Sequence, residues 1–154
     1  MAVTHVAYEA EGWGVGELWL DAAGRLVEHD HPRPSETVSH GSHPLAARFA
    51  AYFRGARDEF ADVELELQGF TPFELALVEV ARGILYGETV TYGELAALAG
   101  RPRAHRAAGS FCARNRFALV VPCHRVVGAS GLGGYGPLGL GYKRRLLELE
   151  GALD

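Results

Sequence analysis

The sequence predicts an α/β (α+β) protein: a small, strand-rich N-terminal α/β domain of residues 1–69, then a mostly helical domain of residues 70–154 with a helix-turn-helix. Three observations predict it. Apolar and polar residues alternate in the first part of the chain, helix start and stop signals begin at Thr71, and two short helices flank a turn containing Gly and Pro. With 154 residues, the chain can bury one good core or two small ones.

The N-terminal elements follow from periodicity. "WGVGELWLDAAGRLVEHD" alternates on both sides of "DAAG", which predicts a β-hairpin over residues 13–20 and 25–30. "PLAARFAAYFRGA" has apolar residues at helical spacing after a proline, which predicts a helix over residues 44–55. "DVELELQG" alternates again and predicts a strand near residues 62–68.

The C-terminal half begins with helix signals. Thr71 is followed by Pro and, three residues on, by Glu, so a capping box opens a helix that we expect to end just before Gly87. Thr91 caps a short helix that ends at Gly100. A more basic helix over residues 103–114 follows after a short turn, which is helix-turn-helix spacing. "YKRRLLELEG" predicts the last helix.

Charge separates the two halves of the chain. The net charge of −4 combines −8 over residues 1–86 (six Arg, fourteen Asp or Glu) with +4 over residues 87–154 (nine Lys or Arg, five acids). The C-terminal half is therefore the half that could approach a polyanion. No apolar stretch approaches the length of a membrane span, and no secretory signal precedes the first elements, so we expect a cytoplasmic protein with no membrane contact.

The cysteines and histidines show no metal-binding spacing. Cys112 and Cys123 are too few for a disulfide framework, and neither belongs to a CxxC pair. Four histidines lie close together in the N-terminal half: His29, His31, His40 and His43. With no cysteine nearby and prolines between them, we expect a solvated loop, and the sequence predicts no metal site.

The segment "VVPCHRVV", residues 120–127, carries the chemistry. The apolar run "FALVV" predicts a strand that leads into it, Pro122 fixes the backbone, and the glycine-rich loop that follows lets a ligand approach closely. Because neighbouring side chains of an extended chain point to opposite faces, His124 need not touch Cys123, and a buried structural cysteine stays an alternative.

"VVPCHRVV", with "GETVTYGELAALAG", "RAHRAAGSFCARN" and "KRRLLELEG", resembles the O6-alkylguanine-DNA alkyltransferase (methylated-DNA-protein-cysteine methyltransferase) family over about residues 70–151. The resemblance implies a DNA repair protein that flips O6-alkylguanine, and as a second substrate O4-alkylthymine, out of duplex DNA. It transfers the alkyl group irreversibly to Cys123, once per molecule and without a cofactor. The implied partner is double-stranded DNA containing O6-alkylguanine, and the implied protein is a monomer whose N-terminal domain is a supporting domain of ribonuclease H-like type.

The resemblance also implies the catalytic residues. Cys123 is the nucleophile, and His124 removes its proton through a water molecule. Glu150 holds the imidazole in the required tautomer, on the logic of a protease triad. Asn115 braces the loop that bears the cysteine.

Further residues are implied to contact the substrate or the DNA. Tyr92 donates its hydroxyl to a ring nitrogen of the guanine, and Arg106 fills the gap left by the flipped nucleotide. A face of small residues after Arg106 fits close into a minor groove, Tyr135 and Val126 line the pocket, and Lys143 lies near the active site. Besides Tyr92 and Arg106, the residues implied to contact the substrate or the DNA are Ala107, Ala108, Gly109, Ser110, Val126, Tyr135 and Lys143. Without the family pattern, Tyr92 is equally well an aromatic helix cap and Arg106 a solvated charge.

The chain departs from the family pattern in three places. It has "ILYGE" where the family has IPYGE and "NRFA" where the family has NPxP, and neither change touches the chemistry. The loop "YGPLGLGYK", residues 135–143, is one residue longer than usual. Because this loop closes over the base, its length bears on the range of substrates.

Three other classes of function are compared with the sequence pattern below: a lesion-recognition protein, a transcriptional regulator and a hydrolase. An alkyltransferase-like, non-catalytic lesion-recognition protein replaces the cysteine, and Cys123 argues against it. A helix-turn-helix regulator needs a polar recognition helix, but "AHRAAGSF" offers few base-reading side chains. A cysteine hydrolase needs an oxyanion hole and gives the DNA-binding element no role. Cys112 is expected to be buried packing, so no second thiol is predicted to remove the alkyl group.

Overall fold

A computed structural model describes residues 2–153, which form two compact units. The first unit comprises residues 2–67 together with residues 116–118, and the second comprises residues 68–115 and 119–153. The α+β class predicted from the sequence is confirmed. The division into a supporting domain of residues 1–69 and an acceptor domain of residues 70–154 stays a prediction.

The first unit is a three-stranded antiparallel sheet with one helix. Its elements are β1 (Val3–Ala10), β2 (Gly14–Asp21), β3 (Leu26–Arg33) and α1 (Pro44–Phe53). The strands lie in the order β1-β2-β3. The predicted hairpin and helix are confirmed, whereas β1 was not predicted.

The strand predicted near residues 62–68 is wrong. This segment makes a single bridge to the sheet, between Leu26 and Leu65. The Leu26 N–H donates to the Glu64 carbonyl at 2.8 Å, and the Glu66 N–H donates to the Leu26 carbonyl at 2.9 Å. The alternation of "DVELEL" reflects this one-sided contact of an extended segment, which does not continue into a ladder.

The core of the first unit contains a buried histidine. The ring of His29 stacks on Phe49 with centroids 3.7 Å apart and planes 4° apart. Its Nδ1 donates to the Ala118 carbonyl at 2.6 Å, and its Nε2 accepts from the Tyr8 hydroxyl at 2.6 Å. His29 and His31 occupy alternate inward positions of β3, so the solvated loop expected for the histidines is wrong for these two.

The second unit is mostly helical. Its elements are α2 (Pro72–Arg82), β4 (Val90–Thr91), α3 (Tyr92–Leu98), α4 (His105–Ala113), β5 (Val126–Val127) and α5 (Gly139–Leu149), with single 3₁₀ turns at Cys123–Arg125 and Gly136–Leu138. The strands β4 and β5 pair in parallel, and α3 and α4 pack together as the predicted helix pair. Within residues 2–153, no helix has both the length and the apolar character to cross a bilayer.

The helix boundaries differ from prediction in two places. Both predicted capping boxes, at Thr71 and Thr91, are present. However, α2 ends at Arg82, well before Gly87, because the chain turns at Gly83 and buries Ile84. The last helix begins at Gly139, earlier than the predicted Tyr142, because the end of the glycine-rich loop joins its first turn.

The strand predicted from "FALVV" is also wrong. Residues 117–121 are buried, but they form a turn in which Leu119 adopts a left-handed backbone with φ of 71°. A continuous apolar run therefore reports burial here without reporting an extended backbone. The cysteine that follows lies in a 3₁₀ turn and not at the end of a strand.

Candidate active site

Cys123 opens the 3₁₀ turn Cys123–Arg125, and its side chain is 1% exposed. The carbonyl of Val121 accepts two hydrogen bonds, from the Cys123 N–H at 2.8 Å and from Asn115 Nδ2 at 2.7 Å. Asn115 lies just beyond the end of α4, so its amide ties that end to the turn that carries the thiol.

A buried chain of charged groups begins at the next residue. His124 Nε2 and Glu150 Oε2 are 2.7 Å apart. Arg125 donates to both oxygens of the same carboxylate, from Nε to Oε1 and from Nη2 to Oε2, each at 2.9 Å. The backbone N–H of Gly87 donates to Glu150 Oε1 at 3.1 Å. A bidentate pair with additional donors is the arrangement that a buried carboxylate requires.

These contacts fix the protonation states. Burial opposes ionisation of Glu150, but the hydrogen bonds from His124 and Arg125 outweigh it and hold the pKa of that carboxyl well below its usual range. Burial lowers the pKa of His124, although the hydrogen bond to Glu150 opposes the shift. Because Nε2 faces an ionised carboxylate, it carries the proton of the neutral imidazole. Within residues 2–153, His124 Nδ1 has no hydrogen-bond partner, so its lone pair is available to accept a proton.

Arg125 is a site residue that the sequence reasoning missed. Its side chain is buried, Nη1 donates to the Ile84 carbonyl at 2.7 Å, and the guanidinium lies 5.7 Å from the centre of the Tyr86 ring. A lone Arg in a sequence is usually a solvated charge. The available signal was its place inside the apolar segment "VVPCHRVV", because an arginine buried there needs a carboxylate partner.

Lys143 is the second buried cation of the site. It lies in the first part of α5, and its ammonium donates to the carbonyls of Val126 and Gly134 and, at 3.3 Å, to the Tyr92 hydroxyl. Burial lowers the pKa of Lys143 to about 8. The ammonium therefore polarises the phenol of Tyr92 from one side, and the Val126 carbonyl of β5 holds it in place.

Tyr92 is the first residue of α3, and its hydroxyl donates to the Gly134 carbonyl at 3.4 Å. Burial raises the pKa of this phenol, so the hydroxyl keeps its proton. The ring lies against Gly133, where a Cβ would come within 2.7 Å of the ring and where φ is +78°. Only glycine satisfies both conditions, so the glycine-rich loop positions the tyrosine.

A cavity of about 210 Å³ adjoins Tyr92. It is smaller than the pockets of drug-sized ligands, about 300–1,000 Å³, and suits a single flat ring system. Its lining residues are Tyr92, Gly109, Cys112, Ala113, Gly134, Tyr135 and Gly136. Tyr135 is thus a wall of this cavity, as the family resemblance implies for it.

The residues of α4 that are predicted to contact DNA differ in their exposure. Arg106, Ala107 and Ser110 are exposed. Gly109 is half-buried, and a Cβ added to it would lie 3.9 Å from the Tyr92 ring. Ala108, in contrast, is fully buried. Its methyl group packs inside the unit, and its contact with DNA stays a prediction.

Cys112 shares the surroundings of Cys123, which the sequence did not reveal. It is buried near the end of α4, as expected, and it also lines the cavity beside Tyr92. Interaction with the Cys112 thiol and burial raise the pKa of Cys123 well above its ordinary value, and the charge of Lys143 only partly opposes the shift. The thiol is therefore protonated at neutral pH and needs a base to react.

The chain matches a family model described as 6-O-methylguanine DNA methyltransferase, DNA binding domain, over residues 72–152. It is 52% identical over 101 residues to a methylated-DNA-protein-cysteine methyltransferase of Mycobacterium bovis, a match that covers 65% of this chain and 59% of the relative. The match thus spans less than two thirds of that relative's length.

Solved structures of proteins from Mycobacterium tuberculosis are similar to this protein over almost its whole chain. One, an O6-methylguanine methyltransferase, is 34% identical with a TM-score of 0.77 and covers 99% of this chain and 95% of its own. Another, named OGT in complex with DNA, is 35% identical with a TM-score of 0.76 and covers 96% of this chain and 92% of its own.

Proposed function

Because this chain belongs to the 6-O-methylguanine DNA methyltransferase family, we propose that it repairs DNA by transferring an alkyl group from guanine O6 to the thiol of Cys123. One observation carries the proposal: the two ring nitrogens of His124 are held differently. Nε2 is paired with the buried carboxylate of Glu150, and Nδ1 has no protein partner within residues 2–153. A neutral imidazole held in this way, one residue after a protonated thiol, is an activating base.

The proposed reaction is an in-line displacement. The proton of Cys123 passes through a water molecule to Nδ1 of His124, and Glu150 stabilises the imidazolium that forms. The sulfur then bonds to the alkyl carbon as the carbon–oxygen bond breaks and its electron pair stays on the guanine. Tyr92 donates its hydroxyl to a ring nitrogen of the departing base, and Lys143 supports this by polarising the phenol.

We propose duplex DNA containing O6-alkylguanine as the partner, with O4-alkylthymine as a second substrate. An alkylated O6 cannot be reached inside the base stack, so the nucleotide must be flipped out. Arg106, exposed on α4, would fill the gap, while Ala107 and Ser110 are small enough for a close approach to the minor groove. The DNA-bound relative of Mycobacterium tuberculosis supports this partner.

The transfer is proposed to be irreversible and to occur once per molecule, because a thioether is a poor leaving group. Apart from the water molecule, the proposed reaction needs only side chains of one copy of the chain, which supports a monomer that needs no cofactor. We place the chemistry in a domain of residues 70–154 and give residues 1–69 the supporting role of a ribonuclease H-like domain. A reacting free thiol needs a reducing compartment, which supports the cytoplasm.

A non-catalytic lesion-recognition protein is the weaker candidate. It would use the same cavity and the same exposed face of α4 without needing a nucleophile. The thiol of Cys123 and the His124–Glu150 pair have no role in such a protein, which is why transfer is favoured.

The test is mass spectrometry of the intact protein and its peptides after mixing with a duplex that carries one O6-methylguanine. We expect one methyl group per protein, mapped to the peptide of Cys123, with guanine restored in the DNA. Cys123→Ala should gain no methyl group yet keep its affinity for the lesion, because the thiol contributes little to binding. Tight binding by the unsubstituted protein with no change in mass would overturn transfer in favour of recognition alone.

A further inference from the structure

Arg125 is a buried cation of the second unit that the proposed reaction does not use. Its guanidinium donates from Nε to Glu150 Oε1 and from Nη2 to Glu150 Oε2, each at 2.9 Å. The carboxylate that it holds is the one that pairs with Nε2 of His124 at 2.7 Å. Arg125 therefore lies one carboxylate away from the proposed base, where it can affect both the orientation and the charge of the imidazole.

The segment between α2 and β4 holds the arginine and the carboxylate in place. The Ile84 carbonyl accepts from Arg125 Nη1 at 2.7 Å, and the guanidinium lies 5.7 Å from the centre of the Tyr86 ring. The Gly87 N–H donates to Glu150 Oε1 at 3.1 Å. At Gly87, φ is +85° and an added Cβ would lie 3.2 Å from the backbone oxygen of Glu150, so this close approach favours glycine. The guanidinium is thus held on several sides.

These hydrogen bonds fix the orientation of the Glu150 carboxylate. Oε1 accepts from Arg125 and from the Gly87 N–H, while Oε2 accepts from Arg125 and from His124. A carboxylate that is bound by a planar guanidinium fork cannot rotate without breaking both of the fork's hydrogen bonds. Oε2 therefore stays aimed at Nε2 of His124, which keeps the proton on that nitrogen and leaves Nδ1 unprotonated.

The positive charge of Arg125 also acts on the resting state of His124. Burial lowers the pKa of His124, the hydrogen bond and charge of Glu150 raise it, and the charges of Arg125 and Lys143 lower it again. The balance matters because an imidazole that is already protonated cannot accept the proton of Cys123. Of the two cations, Lys143 has a pKa lowered to about 8, whereas an arginine keeps its charge throughout the working range of pH.

The titratable groups on the elements that pack against the 3₁₀ turn Cys123–Arg125 are mostly exposed. On α4, His105 and Arg106 are exposed and Cys112 is buried. On α5, Lys143 is buried, and the remaining titratable side chains are half-buried or exposed: Tyr142, Arg144, Arg145 and Glu148. Because solvent screens exposed charges, the buried guanidinium and the buried ammonium are the cations that act most strongly on the imidazole.

We propose that Arg125 is a positioning residue for alkyl transfer: its fork aims the Glu150 carboxylate at His124, and its permanent charge keeps the imidazole neutral until the thiol releases its proton. In this role it acts through Glu150 and His124 and not on the reacting atoms. Its effect on His124 rests on the contacts alone, whereas its effect on transfer also rests on the proposed function.

Two substitutions separate the charge of Arg125 from its geometry. Arg125→Gln removes the positive charge, so the His124–Glu150 pair takes up a proton more readily and the base is lost as the pH falls. Arg125→Lys keeps a charge but cannot bind both carboxylate oxygens as a planar fork does. Leu77→Ala is the control, because it leaves a cavity under α2 and destabilises the same unit without changing a charge.

The first measurement is the single-turnover rate of alkyl transfer as a function of pH, under conditions in which circular dichroism shows each protein to be folded. The rate of Arg125→Gln relative to the unsubstituted protein should fall by about tenfold or more from the alkaline to the acid end. Arg125→Lys should lose the same factor at every pH. A loss in Arg125→Gln that does not grow as the pH falls, or that Leu77→Ala reproduces, would overturn the proposal.

The second measurement follows the ring nitrogens of His124 by NMR during a pH titration without DNA. We expect His124 to titrate at a higher pH in Arg125→Gln than in the unsubstituted protein, and Arg125→Met replaces the glutamine variant if that variant folds poorly. An unchanged titration in these neutral variants would overturn the role of Arg125 whatever the rate of transfer. If the titration moves but the unsubstituted protein transfers no alkyl group, the role of Arg125 stands and the proposed function fails.

Discussion

Each unit of the chain buries histidine, and His29 of the first unit and His124 of the second are held in opposite ways. In the first unit, both ring nitrogens of His29 are bonded: Nδ1 donates to the Ala118 carbonyl and Nε2 accepts from the Tyr8 hydroxyl. In the second unit, His124 donates from Nε2 to Glu150, and Nδ1 has no partner within residues 2–153. Burial of a histidine therefore does not identify a base. An open nitrogen opposite one that is paired with a buried carboxylate does, and His124 has this arrangement.

The groups around the two histidine rings also differ in how they affect the charged form of each ring. His29 stacks on Phe49 and accepts from a tyrosine hydroxyl, and burial lowers its pKa to about 4, so it is neutral at pH 7. His124 lies beside an ionised carboxylate that stabilises its charged form and so opposes the effect of burial. The first arrangement prevents a change of charge, and the second prepares for one.

The largest effect should separate the two histidines by rate. His124→Gln removes the base, and we expect alkyl transfer to slow by about 10²- to 10⁴-fold in single-turnover measurements. His29→Gln should leave the rate unchanged under conditions in which it is folded, and Tyr8→Phe serves as a milder variant of the same core. Comparable losses of transfer rate at both positions would contradict this difference between the histidines, because the first unit would then contribute to the chemistry.

The two units also differ in how they hold arginine. Arg125→Met leaves the buried Glu150 carboxylate without its bidentate partner, and we expect about 3–5 kcal/mol less free energy of unfolding in urea denaturation. The control is Arg48→Met in the first unit, because Arg48 pairs at 2.9 Å with the more exposed Asp58 and Asp62. Its loss should cost about 1 kcal/mol or less. Equal costs would show that the ion pairs of the two units are equivalent.

Acid should weaken the first unit through His29. Its pKa is about 4 when folded and 6.5 ordinarily, so between these values the unfolded chain takes up a proton that the folded chain refuses. The contribution of His29 to the free energy of unfolding is therefore fully present above pH 6.5 and is lost as the pH falls towards 4. The loss is at most about 3.5 kcal/mol, at about 1.4 kcal/mol per pH unit. The difference in unfolding free energy between the unsubstituted protein and His29→Gln should shrink over this window, and a constant difference would contradict it.

The smallest effect compares glycines with left-handed backbones. Gly133→Ala forces a Cβ to within 2.7 Å of the Tyr92 ring at φ of +78°, so it should move the tyrosine and slow transfer. Gly24→Ala, at φ of +81° in the first unit, meets nothing within 4 Å and should cost only about 1–2 kcal/mol of stability. A normal transfer rate for Gly133→Ala would show that the loop does not position Tyr92.

The sequence predicted local structure where the signal itself was local. The capping boxes at Thr71 and Thr91 appear as predicted because each depends on residues three positions apart. The prediction of a strand from "FALVV" is wrong because an apolar run indicates burial and not an extended backbone. A residue with a left-handed backbone, such as Leu119, produces no periodic pattern in the sequence. The segment around Leu65 alternates in sequence but makes a single bridge to Leu26. Alternation does not reveal whether a segment pairs with a strand along its whole length.

The candidate site shows the same limit. The motif around Cys123 and the final "LLELEG" named the thiol, the imidazole and the carboxylate, and the structure brings the last two to 2.7 Å. The bidentate role of Arg125 and the place of Cys112 in the wall of the cavity depend on tertiary packing between distant segments. No spacing along the chain encodes such contacts, so only the structure reveals them.

The most direct test is a nitrogen NMR measurement of the tautomers of His124 and His29 in the folded protein at neutral pH. We expect His124 to carry its proton on Nε2, with Nδ1 unprotonated, and His29 to show the reverse. In that state His124 can accept the proton of Cys123, whereas His29 cannot. A proton on Nδ1 of His124, or on both of its nitrogens, would contradict its role as the base.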